Sequence, residues 1–158
     1  MPGRQWLAQR TRPQGDHMGL DSVLQTVEVQ REAHFDPLCR RLGLVPAACA
    51  ADDLYGAHCA SGGFLKVYFE QDRGLCLFAI GPASDERPLC DVEAIAARFP
   101  RAHLLPDGSR RLTLSEQRRF LEDNWGALQR LFSPEQLPET RRWRRAAVAA
   151  FLQGLQGG

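Results

Sequence analysis

The chain predicts an α+β fold: an antiparallel four-stranded meander with helices packed on one face, an N-terminal helix before it and a C-terminal helical pair after it. Three observations carry this prediction. FLKVYFEQDRGLCLFAIGP, residues 64–82, alternates apolar and polar side chains up to a turn and is almost wholly apolar beyond it. TLSEQRRFLEDNWGALQRLF, residues 113–132, repeats apolar residues at helical spacing, and residues 21–42 do so more loosely. Helices and strands fall in separate runs, as they do in layered α+β proteins.

Asp21 or Ser22 is a fitting N-cap, and Val23, Leu24, Val27, Phe35, Leu38 and Leu42 follow at roughly helical spacing. Pro37 lies inside that pattern, lacks a donor and crowds the preceding turn. The spacing therefore predicts a helix over 21–34 and a second over 36–42, stopped by Gly43. Leu44 to Ala50 reads as a weak strand that Pro46 confines to an edge. Asp52-Asp53 turns the chain, Tyr55 to Ser61 is a second strand, and Gly62-Gly63 is another turn. In the third strand Leu65, Val67 and Phe69 point one way, and Lys66, Tyr68 and Glu70 the other. Asp72-Arg73-Gly74 closes a hairpin. Leu75 to Ile80 is apolar on both faces, so both should be covered; Gly81-Pro82 ends it.

Residues 83–90 read as a polar loop. DVEAIAARF reads as a short helix with Asp91 near its cap, Val92, Ile95, Ala96 and Phe99 facing inward, and Pro100 closing it. PDGS, residues 106–109, is a turn by composition. Thr113 and Glu116 form a T-x-x-E capping box for the long helix, whose stripe is Leu114, Leu121, Trp125, Leu128 and Phe132. Ser133-Pro134 begins a single turn that Pro138 interrupts. In the last helix Trp143, Ala147, Phe151 and Leu155 form a packing face broadened by Val148 and Leu152, and QGLQGG frays.

Residues 1–17 are polar and aperiodic, a disordered leader with Met18 as an alternative start; residues 18–158 form one domain. A formal net charge of +1 supplies no general field for nucleic acid. No apolar run approaches the roughly 20 residues that span a bilayer. The N-terminus lacks the apolar core of a secretory signal, so the expected location is cytoplasmic. Five cysteines, an odd number without C-x-x-C spacing, read as small core hydrophobes rather than a disulfide framework. No metal spacing, P-loop, G-x-S-x-G or H-E-x-x-H is present, and neither cofactor nor metal is expected.

Candidate sites are therefore surfaces. Lys66, Tyr68 and Glu70 share the polar face of the meander, where His58 from the neighbouring strand would supply an acid–base partner for Glu70. Cys59 points away from His58, as adjacent strand residues do. Asp85 and Glu86, in the loop after the meander, suit a basic protein partner. RRWRR, comprising Arg141, Arg142, Trp143, Arg144 and Arg145, has the arginine-around-aromatic composition that meets phosphates and stacks on bases.

DLYGAHCASGGFLKVYFEQDRGLCLFAIGP, followed by LTLSEQRRFLEDNWGALQRLFSPEQLPETRRW, resembles a group of small bacterial α+β proteins, some of them similar to toxin-immunity proteins. That resemblance spans roughly residues 20–145 and carries no catalytic residues. It implies a bacterial protein that binds a protein partner, and the leading expectation is one that neutralises a cognate toxin by steric cover of its active site. The rival reading is a nucleic-acid-associated module built on residues 141–145.

Overall fold

The computed structural model describes residues 26–49, 58–72, 75–99 and 112–157. The expected leader, the turn at Asp52-Asp53, the first part of the second strand, the turn residues Arg73 and Gly74, and PDGS lie outside the described residues.

Helix α1 covers residues 26–42 and does not break at Pro37. It is α-helical over 26–30, π-helical over Arg31–Phe35 and α-helical again over Asp36–Leu42. The Asp36 N–H bonds to the Arg31 carbonyl, the wide register of a π turn. Pro37 is the second residue of the resumed α-helical segment. Its missing donor leaves the Ala33 carbonyl without its usual helical partner, and the Arg118 guanidinium donates to that carbonyl at 3.2 Å. The break expected from proline is thus absorbed by a widened turn and a partner from another helix. Gly43 ends α1 in the left-handed conformation, φ 65°.

Strands β1 (Val45–Pro46), β2 (His58–Gly62), β3 (Leu65–Asp72), β4 (Leu75–Pro82) and β5 (Cys90–Asp91) form one antiparallel sheet in sequential order. The α+β class stands, with five strands instead of four. The fifth is two residues long and pairs Asp91 with Ala79 and Cys90 with Ile80. Backbone pairing of so short a segment leaves no alternation for a sequence to show. Pro46 does sit on the edge strand, as expected. At the β2–β3 turn Gly63 takes φ 59°, and Gln129 clamps the turn by accepting from Phe64 N–H and donating to the Gly62 carbonyl, both at 2.8 Å.

Helix α2 (Val92–Ala96) is capped by Asp91, which accepts from the Ala94 N–H at 2.7 Å. Helix α3 (Leu114–Leu131) has the expected capping box: Glu116 accepts from the Thr113 N–H at 2.7 Å, and Thr113 Oγ1 accepts from the Glu116 N–H at 3.2 Å. The single turn expected after Ser133 is present over 134–136, and helix α4 (Leu137–Gln156) follows with Pro138 in its first turn. It is helical through Gln156.

The helices cover one sheet face. There Leu65, Val67, Phe69, Phe78 and Ile80 meet Phe35 and Leu38 of α1, and Leu121 and Leu128 of α3. Phe69 and Phe78 are 5.4 Å apart and edge-to-face. The opposite face holds a second small cluster, Cys59, Tyr68 and Ala79, under Ala47 and Cys49. From Phe78 onward β4 is therefore covered on both sides, as its apolar run predicts, while Leu75 at its start is exposed. No helix among the described residues is long and apolar enough to cross a membrane.

Candidate functional site

The face read as polar and half-solvated is covered. Lys66 is 7% exposed and Tyr68 1%. Both are amphipathic: the Lys stem and the Tyr ring lie against apolar neighbours while their polar tips reach backbone carbonyls. Lys66 Nζ donates to the Ala48 carbonyl at 3.0 Å and to the Asp85 carbonyl at 2.7 Å. Tyr68 Oη donates to the same Asp85 carbonyl at 3.1 Å. The Lys66 ammonium lies 5.9 Å from the Tyr68 ring centroid. Burial, then the charges of Asp85 and Glu70, push the Tyr68 hydroxyl up to about 12, so it stays a donor at neutral pH. Glu70 is half-buried on this face.

Asp85 is the meeting point. Its carboxylate pairs with Arg141 of α4 at 3.2 and 3.3 Å. Three backbone bonds fix the loop around it: Ala83 N–H to Phe64 O at 2.9 Å, Asp85 N–H to Pro82 O at 3.0 Å, and Leu89 N–H to Ile80 O at 2.8 Å. β3 and α4 thus grip one loop from two sides, and Glu86 and Arg87 stand exposed upon it. Of the five residues expected on a partner surface, only Glu86 is exposed; Lys66 and Tyr68 act within the fold, and Asp85 joins loop to helix.

His58 departs from expectation. It pairs with Phe69 across the strands, and directly paired residues share a face. Its ring lies 6.3 Å from Phe35, on the helix-covered side and away from Glu70. There it borders a hollow of about 690 Å³ between α1 and the β1–β2 edge, with Arg31, Asp36, Cys39 and the Cys49–Cys59 pair. Asp36 pairs with Arg31 at 3.2 Å. His58 hydrogen-bonds to neither Asp36 nor Cys39 among the described residues. Burial, then Asp36, push the Cys39 thiol up to about 11, which suppresses its thiolate. Among the described residues the hollow holds a base without an activated nucleophile.

The cysteine reading is corrected. Cys49 and Cys59 form a disulfide with a Cα–Cα distance of 6.1 Å, leaving Cys39, Cys76 and Cys90 free. An odd count is compatible with one bridge, and parity alone does not reveal it.

The arginine cluster is partly occupied. Arg141 pairs with Asp85, Arg142 pairs with Glu139 one turn back, and the Arg98 guanidinium sits 4.9 Å from the half-buried Trp143 ring. Arg144 and Arg145 form no ion pair with another described residue. Beyond them α4 leaves the body. Thr140 is its one fully buried residue, whereas Val148, Phe151, Leu152 and Leu155 are 37%, 67%, 52% and 64% exposed. The packing face expected in this half of the helix has the right period and no partner among the described residues.

Gln117 was missed from the sequence. It is buried, accepts from the Phe78 N–H at 2.9 Å and donates to the Leu112 carbonyl at 2.9 Å. Its signal was a polar residue on the stripe, three after Leu114 and four before Leu121.

No protein family, curated protein or solved structure matches this chain. The functional reading therefore rests on its own geometry.

Proposed function

We propose that the chain is a non-enzymatic protein-binding domain, an immunity protein that neutralises a cognate bacterial toxin by covering its active site. The observation that carries this reading is the grip on Asp85. Lys66, Tyr68 and Arg141 converge on one loop residue, so the loop and the start of α4 are presented already ordered. A surface fixed in advance loses little conformational entropy on binding, which suits an inhibitor acting by steric cover. The exposed Glu86 and Arg87 supply charge that governs encounter rate and partner choice.

The test is co-purification from the source bacterium, read together with the adjacent gene. The proposal expects that gene to encode a toxin-like protein, recovered with this chain and inhibited by it. A metabolic neighbour together with an empty pull-down sinks the reading.

Arg144 and Arg145, which form no ion pair with another described residue, support the alternative, a nucleic-acid-associated module using residues 141–145. Salt-sensitive binding to a fluorescent single-stranded oligonucleotide, lost when Arg144 and Arg145 become Gln, would favour it. A cytoplasmic location remains part of the proposal. The Cys49–Cys59 bond is of a kind that persists in oxidising compartments, so the thiol count in freshly lysed cells tests that location directly.

A further inference from the structure

We propose that the exposed half of α4 is a helical anchor for a protein partner that offers an apolar groove with an acidic rim at one end. The proposal rests on the reading of the chain as a protein binder and adds a second surface to the ordered loop.

Val148, Phe151, Leu152 and Leu155 fall at i, i+3, i+4 and i+7, the anchor spacing of a helix laid into a groove. All four are exposed. Arg144 and Arg145 precede Phe151 and Leu152 by seven residues each, two helical turns, so they extend the same side of the helix. From 146 to 157 there is no charged residue, and the surface is therefore cationic at one end and neutral along the rest. An acidic rim at the end of a groove complements that arrangement. The other end of α4 is tied to the loop by the Arg141–Asp85 pair, so the anchor projects from a fixed base.

A second copy is the less favoured occupant, because its own exposed α4 half, residues 146–157, offers no acidic side chain to meet Arg144 and Arg145. A lipid surface is also less favoured, because membrane recognition uses clusters of about 4–8 basic residues and only two arginines of this helix are without an ion pair among the described residues.

Calcium-loaded calmodulin, a helix-accepting groove protein, is the probe. The full chain should bind it in titration calorimetry and lose binding on calcium chelation. Phe151→Asp with Leu155→Asp should weaken binding by about tenfold or more, and Arg144→Glu with Arg145→Glu should weaken it and flatten its salt dependence. Both variants should melt within about 1 °C of wild type, since the replaced side chains are exposed. No binding at about 100 µM, or binding indifferent to Phe151→Asp, overturns the proposal. So does a wild-type dimer in sedimentation that Phe151→Asp dissolves, which would make a second copy the occupant. Tighter, Phe151-dependent binding to vesicles of equal parts phosphatidylserine and phosphatidylcholine overturns it too. A toxin neighbour whose inhibition survives Phe151→Asp sinks this inference alone. The absence of such a neighbour, with calmodulin binding intact, sinks only the immunity reading.

Discussion

Replacing Lys66 with Met keeps the stem and removes the ammonium, separating packing from the polar grip on the loop. Two bonds are lost, to Ala48 O at 3.0 Å and to Asp85 O at 2.7 Å. Bonds from a charged donor contribute about 1.5–3 kcal/mol each. Not all of that is lost, because Tyr68 still donates to the Asp85 carbonyl and Ala48 is exposed to water. Relief of the ammonium's desolvation offsets part of the rest. The net expectation is a destabilisation of about 2 kcal/mol, or roughly 4–8 °C in Tm. Urea unfolding followed by tryptophan fluorescence measures it, with the m-value as the check on two-state behaviour. Tyr68→Phe should cost about 1 kcal/mol through one neutral hydrogen bond. Asp85→Ala should cost only about 0.5 kcal/mol, since its ion pair with Arg141 is partly solvated and screened while the carbonyl survives. Lys66→Met within about 0.5 kcal/mol of wild type, at unchanged m, would refute the reasoning.

Three more outcomes are expected. Gln117→Leu strips the buried Phe78 N–H of its partner and should lower stability by about 2 kcal/mol in the same unfolding assay; a change below about 0.5 kcal/mol contradicts the role given to that side chain. Cys49→Ser with Cys59→Ser should cost about 2–3 kcal/mol for opening a loop of 10 residues, and alkylation of the unfolded protein should label three thiols before reduction and five after. His34 and His58 both titrate below their ordinary value of 6.5, His34 through burial and then Arg118, His58 through burial and then Arg31. Because the unfolded chain then binds more protons, stability should be complete above pH 6.5 and fall as pH drops below it. Thermal melts from pH 7.5 to 5.5 test the trend, and the double variant His34→Gln with His58→Gln should flatten it.

Much of the framework was legible because local rules and tertiary structure agree. Thr113 and Glu116 sit three apart and make the box that spacing predicts, and Leu65, Val67 and Phe69 alternate into the core as a strand should. The failures share a cause: the sequence shows residue type but not which atom becomes the partner. Lys66 and Tyr68 read as a polar face, yet their partners are backbone carbonyls contributed by segments distant in sequence. Pro37 reads as a break because neither a π turn nor Arg118 in another helix is visible locally. The Phe151 stripe shows the opposite error, a correct period credited with a neighbour that the described structure does not supply.

Residues 83–89, held by β3 and α4 before any partner arrives, are the claim on which the functional account stands. Amide hydrogen exchange across that segment tests it most directly. The account predicts protection approaching that of β4 in the wild-type chain and its loss in Lys66→Met, with α3 unaffected. Exchange at open-loop rates in the wild type, or protection that survives Lys66→Met unchanged, would contradict it.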